Sequence, residues 1–441
     1  MKETKFKQTE VGMIPCDWEL YELGQLYNIT SSKRVFQKDW TTAGIPFYRA
    51  REIAVMSTGK TPEEDLFITK EMFESYTKQY GRIKENDVLI TGVGTLGKVY
   101  VVKQHDEFYF KDGNIIWLQW KGKNSSSLLK QFYETEIVIN QIFGNSGGST
   151  VATYTIANAK KTKLPLPPTI EEQKRIAQAL SDVDAVISTT EKIIAKKKAL
   201  KQGAMQTLLS GKMRIQNGKW IKTTHFKQTE LGPIPQEWEM KSFGELFEIL
   251  PNNTLSRAEL NEGQGSYKNV HYGDVLVKFQ EWIDCSKTAL PFINSDAKFN
   301  HTSLQDGDVI IADTAEDETV GKSTEIFNAH NLKIVSGLHT IPIRPKTKFA
   351  SKWLGYFINS ACWHNQILPF ITGTKVSAIS KAAVAQTKFF YPAKMDEQTA
   401  IATVLSDMDS EIAALETKLA KYRQLKTGMM QQLLTGKIRL V

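Results

Sequence analysis

Apolar residues near the end of the chain recur in steps of four and three: Ile401, Leu405, Met408, Ile412, Leu415, Leu419 and Tyr422. That spacing keeps one stripe on a single helix face and predicts a seam between helices. The stretch has an earlier copy. Glu171 to Ile215 aligns with Asp396 to Leu440 without a gap, so that Gln173 matches Gln398, Asp184 matches Asp409 and Gly211 matches Gly436. A second copy in unbroken register over this length is a duplication. The earlier seam reads Ile176, Leu180, Val183, Ile187, Thr190, Ile194 and Lys197, and its Thr and Lys weaken it as a homodimeric zipper. Pro165, Pro167 and Pro168 lead into Thr169, which with Glu172 predicts a capping box, and Gly211 and Gly436 stand where a C-terminal cap belongs. About 40 helical residues make a rod of roughly 60 Å.

A second repeat marks where two modules begin. Phe6-Lys-Gln-Thr-Glu-Val-Gly-Met-Ile-Pro15 returns as Phe226-Lys-Gln-Thr-Glu-Leu-Gly-Pro-Ile-Pro235, with Trp18 matching Trp238 as a core residue. The interiors then diverge and meet again. Strand-like runs (Asn86 to Thr91, Gly307 to Ala312) lead to Gly97-Lys98 and Gly321-Lys322. After further short apolar runs come helical stretches, Leu128 to Phe143 and Lys352 to Leu368, and a Gly-Ser/Thr turn at 147–151 and 372–376. This order predicts an α+β (α/β-like) chain of two globular modules and two long antiparallel coiled-coil helices, a pseudo-two-fold internal repeat. The expected divisions are 1–168 and 216–393 for the modules, 169–215 and 394–441 for the helices. Connectivity requires the second helix to return toward the first module, which predicts a closed arrangement with the globes at opposite ends of the helical pair.

Composition changes this picture little. Of 441 residues, 41% are hydrophobic and 24% charged, ordinary values for a soluble globular protein. A net charge of +8 permits nucleic-acid binding, but neither module is strongly basic, so a DNA face must be a local cluster. The start of the chain has no apolar core for a signal peptide, and no apolar run is long enough for a bilayer; the expectation is a cytoplasmic protein with no membrane partner. Cys16, Cys285 and Cys362 lie far apart, without disulfide parity or a Cys-x-x-Cys pair.

Catalytic patterns are absent from the sequence. Gly92-Val-Gly-Thr-Leu-Gly-Lys98 fits the start of a phosphate loop, yet Val99 stands where a magnesium-binding Ser or Thr is needed. The loop reads either as a structural turn or as one whose amides and lysine meet nucleic-acid phosphates or base edges. The seven histidines show no zinc spacing, no Gly-x-Ser-x-Gly elbow occurs, and Asp182, Asp184, Asp407 and Asp409 read as solvated or interhelical charges. Polar loop placement and correspondence between the copies nominate DNA contacts. In the first module these are Lys33, Arg34, Arg49, Arg51, Thr95, Lys98, Ser149 and Thr150; in the second, Asn252, Asn253, Lys268, His271, Lys278, Thr314, Lys322, Thr374 and Lys375.

The proline-led helix with Glu171-Glu-Gln-Lys-Arg-Ile-Ala177, the Leu-Leu-Ser/Thr-Gly-Lys endings, the repeated opening and the full duplication resemble the specificity subunits of type I DNA restriction–modification systems. The resemblance covers essentially the whole chain. It implies that each module is a target recognition domain reading one half of a split, asymmetric site in double-stranded DNA. It also implies that Glu171–Ile215 and Asp396–Leu440 are spacers on which two modification (methyltransferase) subunits dock, with restriction (translocase/nuclease) subunits joining the complex. Catalysis, S-adenosylmethionine and ATP with Mg would then belong to those partners, this chain being no enzyme, binding no cofactor or metal, and forming no homodimer. The competing expectation is a scaffold whose helices assemble proteins without reading DNA.

Overall fold

The computed structural model describes residues 5–63, 65–144, 153–294, 302–373 and 375–441. The chain forms two compact units, residues 1–191 with 418–441, and residues 192–417, so each unit takes part of both long helices. Among the described residues no helix is long and apolar enough to cross a membrane.

The first unit is built on a four-stranded antiparallel sheet in the spatial order Tyr27–Thr30, Ile115–Trp120, Val88–Thr91, Val99–Val101. Val88, Leu89, Ile90 and Leu118 are fully buried, as their continuous apolar runs require of a sheet covered on both faces. The second unit repeats the order as Phe247–Ile249, Thr340–Pro345, Val309–Ala312, Ser323–Phe327, and adds Trp282–Asp284 parallel to the last strand. The chain is therefore a mixed helix-and-sheet protein with a repeated domain. Where one helix was expected per module, two short ones stand: Ser126–Phe132 and Glu136–Gly144, then Trp353–Ile358 and Ala361–Ile367. Hydroxyls make the breaks, Thr135 Oγ1 donating to Phe132 O and Ser360 Oγ to Phe357 O, both at 2.6 Å.

The long helices span Ile170–Leu208 and Met395–Leu433. Within each unit their parts run antiparallel, because partners fall in number as the first helix advances. The first unit pairs Asp184 with Lys426 at 2.7 Å and Glu191 with Arg423 at 2.7 Å. The second pairs Lys197 with Glu411 at 2.7 Å and Lys201 with Asp409 at 2.6 Å. Asp184 and Asp409 are thus interhelical, as expected of repeated carboxylates, whereas Asp182 and Asp407 stay exposed. Every seam position is buried or half-buried. Thr190 turns its hydroxyl onto Val186 O at 2.7 Å, and Lys197 leaves the seam through Glu411, which is how the weakened positions are accommodated.

Duplicated glutamines seat both helices. Gln173 accepts from Ser125 N at 2.9 Å and donates to Pro167 O at 2.9 Å, while Gln398 accepts from Ala350 N at 3.0 Å and donates to Pro392 O at 2.8 Å. Thr169 caps its helix by accepting from Glu172 N at 3.2 Å. The other half of the expected capping box is replaced, since the Glu172 carboxylate goes to Arg439, at 2.6 and 2.8 Å, rather than back to Thr169.

That arginine has a copy. Arg439 also reaches Asp17, with two bonds of 2.9 Å, and holds its carboxyl below the usual range. In the second unit Arg214 grips Glu397 at 2.8 and 2.6 Å and Glu237 at 2.7 Å. Each clamp ties the end of one long helix to the start of the other and to the repeated module opening. Beside each lies the expected glycine cap, Gly211 at φ +70° and Gly436 at φ +67°, packed on Pro235 with Trp238 and on Pro15 with Trp18. Both tryptophans are buried, as core residues should be.

Candidate nucleic-acid interface

Each sheet carries the same loops at one end of its central strands. After Val88–Thr91 runs the glycine loop 92–98; after Val309–Ala312 runs the acidic loop 313–322. A later segment crosses each loop by a backbone bond, Tyr154 N to Gly92 O at 2.9 Å and Ile379 N to Asp313 O at 2.8 Å. The corner closes where the strand-entry residue accepts, Asn114 O from Gly92 N at 2.8 Å and His339 O from Asp313 N at 3.1 Å.

In the first unit the glycine loop stands between two clefts of about 540 and 440 Å³. The larger brings Arg51 and Thr95 together with Lys60, which the sequence reading missed because Gly59-Lys60 has no counterpart in the second copy. Lys98 is exposed at the end of the loop, its backbone N donating to Thr91 Oγ1 at 3.0 Å. The loop leads into a strand, Val99–Val101, not a helix, so it is a turn and not a nucleotide phosphate loop. Arg51 is 61% exposed while donating to Glu52 at 2.7 Å and to Asp65 at 2.5 Å. Arg49 is more committed. It starts the helix Ala50–Ser57 and folds onto the buried Glu52 at 3.0 Å. Burial opposes ionisation of Glu52, and the two guanidiniums overcome it and lower its pKa. Lys33 is exposed and 5.4 Å from the Tyr80 ring, and Arg34 donates to Asp112 at 2.9 Å while 64% exposed. Ser149 and Thr150 lie outside the described residues.

In the second unit several nominated side chains serve the fold instead. Asn253 is 3% exposed and spends its amide on Asn269 Oδ1 at 2.7 Å and Ser336 O at 2.8 Å. Lys322 is drawn inward to donate to Leu276 O at 2.7 Å, and burial lowers its pKa. His271 caps the helix Tyr272–Val277, its Nδ1 accepting from Gly273 N at 3.2 Å; burial and the Arg257 charge lower its pKa. Lys278 pairs with Asp274 at 3.0 Å, and Lys268 lies 5.6 Å from the Phe292 ring. Polar side chains in loop sequence also build such networks within the fold. Lys375 is exposed, and Thr374 lies outside the described residues. What the structure does gather is Asn252, Thr314 and two residues not nominated, His339 and Lys381. Lys381 Nζ donates to Asn252 Oδ1 at 3.2 Å, Asn252 Nδ2 to Gly337 O at 3.3 Å, and Thr314 Oγ1 lies 3.4 Å from His339 Nδ1. No group of three or more metal-ligating side chains occurs among the described residues.

The two matched lysines therefore differ, Lys98 being exposed and Lys322 drawn inward. Lys98→Ala is expected to leave stability unchanged and to lower the salt slope of DNA binding by about one counterion. Lys322→Ala is expected to leave the slope unchanged and lower thermal stability. Titrating affinity against salt beside a melting curve checks both; equal slope changes would contradict the assignment.

The family of a chain with this double scaffold is settled by comparison. A model of the type I restriction modification DNA specificity domain matches it twice, over residues 15–199 and 235–422, and the chain belongs to that family. Two Methanocaldococcus jannaschii chains are similar throughout. One, assigned as the specificity subunit of type I restriction enzyme MjaX, is 26% identical, covering 99% of this chain and 97% of its own length. The MjaVIII specificity subunit is 25% identical with the same coverage, 99% and 97%. The crystal structure of a type I restriction-modification S subunit from M. genitalium shares the fold, with a TM-score of 0.56 at 12% identity over 98% of both chains.

Proposed function

We infer that the chain is the DNA specificity subunit of a type I restriction–modification complex and reads a bipartite, asymmetric target. The observation that carries this is the double match of the specificity domain onto two units with one sheet order and unlike loop chemistry. Identical modules would call for a palindrome, whereas unlike ones read two different half-sites. Residues 1–168 and 216–393 are the recognition domains, and 169–215 and 394–441 are the antiparallel coiled-coil spacer helices. Lys33, Arg34, Arg51, Thr95 and Lys98 meet the DNA in one domain; Asn252, Thr314 and Lys375 do so in the other. Cations on phosphates set position, and loop side chains on base edges set sequence. The chain is non-catalytic and works in the cytoplasm. Two modification subunits dock on its helices and bring S-adenosylmethionine, and restriction subunits bring ATP with Mg. Footprinting of duplex DNA by the chain with its modification subunits tests this. Two protected segments of defined and different sequence are expected; protection without sequence preference would favour a protein scaffold.

A further inference from the structure

The corner where the central strands meet the crossing segment has the same backbone bonds in both units but opposite chemistry. In the first it is open, a cleft walled by Ser31, Gly92, Gly113 and Thr155 with no charged side chain. In the second the place is taken by His339. Its backbone sits at φ +54°, a left-handed conformation rare outside glycine and costly unless the surroundings impose it. Residues held in such a conformation cluster at active and ligand-binding sites. Tyr272 sets the ring edge-on at 5.3 Å, and the side chain remains 47% exposed.

The neighbours of His339 also favour one tautomer of the ring. Nδ1 faces Asp313 Oδ1 at 3.4 Å and Thr314 Oγ1 at 3.4 Å. Thr314 already donates its hydroxyl hydrogen to Asp313 Oδ1 at 2.8 Å, so towards the ring it can only accept. With both groups accepting on that side, the arrangement favours the hydrogen on Nδ1. In the neutral ring Nε2 is then a lone-pair acceptor on the opposite edge. In the major groove only the exocyclic amino groups of adenine and cytosine offer a donor to such a group.

We propose that His339 is the specificity-determining residue of the second unit, its Nε2 accepting a hydrogen bond from the amino group of an adenine or cytosine, with Asp313 and Thr314 as positioning residues. The proposal rests on the specificity-subunit reading and names the group that makes one half-site chemically distinct.

The test uses the full chain assembled with its modification subunits, and duplexes in which each adenine of the target is replaced in turn by nebularine and each cytosine by zebularine, removing one amino group at a time. One position is expected where the removal weakens binding about tenfold in the unsubstituted complex and has no effect with His339→Ala, the loss of one base-edge contact. The sequence methylated by the His339→Ala complex is expected to relax at that position only, in one part of the target. Equal losses in both proteins at every position, or an unchanged methylated sequence, would overturn the proposal. Should the alanine variant fail to fold, His339→Gly, which accepts the left-handed backbone and has no side-chain acceptor, carries the same test. Absence of sequence-selective binding by the unsubstituted complex would instead overturn the specificity-subunit reading itself.

Discussion

Arg214→Ala is expected to lower the melting temperature on the order of 10 °C, and Arg439→Ala to do the same in the other unit. The cost comes from the partner left behind. Glu397 is 5% exposed and Glu172 2%, so each carboxylate would lose its bidentate cation while still out of water. Removing one member of a buried pair costs about 3–5 kcal/mol, most of it the stranded charge. Lysine should restore little, because one ammonium cannot match the two parallel bonds that each guanidinium makes to the buried glutamate. Replacing Glu397 with Gln in the Arg214→Ala background should recover part of the loss. Melting curves of these variants beside the unsubstituted protein measure it; a shift under 2 °C for either single alanine variant, about what a surface pair is worth, would contradict the clamp.

Gly211→Ala and Gly436→Ala should be next in severity, although each adds only one methyl group. A Cβ at Gly211 would stand 2.4 Å from Pro235 Cγ, and one at Gly436 2.3 Å from Pro15 Cγ, with Trp238 and Trp18 behind. Left-handed backbone costs a non-glycine residue about 1–2 kcal/mol, and overpacking adds about 1–3 kcal/mol. Elsewhere in the helices Gly203 and Gly428 have open space around an added Cβ, so Ala there should stabilise slightly. Chemical denaturation of the four variants is therefore expected to divide them by sign, and destabilisation by Ala at 203 or 428 equal to that at 211 would refute the explanation.

The clamps show what the sequence made legible and what it hid. Seam, caps and central strands declare themselves by periodicity and punctuation, which are local signals, and duplication doubled each one. Arg214 and Arg439 were equally duplicated, as were Glu172 and Glu397. Asking which charged positions the copies share would have nominated them, but nothing local says that a helix end meets the start of the other helix. The DNA candidates meet the opposite difficulty. Asn253 and Lys322 have loop-like surroundings in sequence, yet the backbone carbonyls they satisfy are contributed by Ser336 and Leu276, far along the chain. His339 and Lys381 lay hidden because correspondence between copies was the guide, and the aligned positions in the first module are Asn114 and Ile156. Residues that make two modules read different sequences are by nature the ones a repeat comparison passes over.

The measurement closest to the central claim is sequencing of the methylated positions in DNA from cells carrying this chain with its modification subunits. One motif is expected, made of two short defined sequences that are not inversions of each other, separated by a fixed number of unspecified bases. A continuous motif, a palindromic one, or methylation that persists when this chain is deleted would contradict the account.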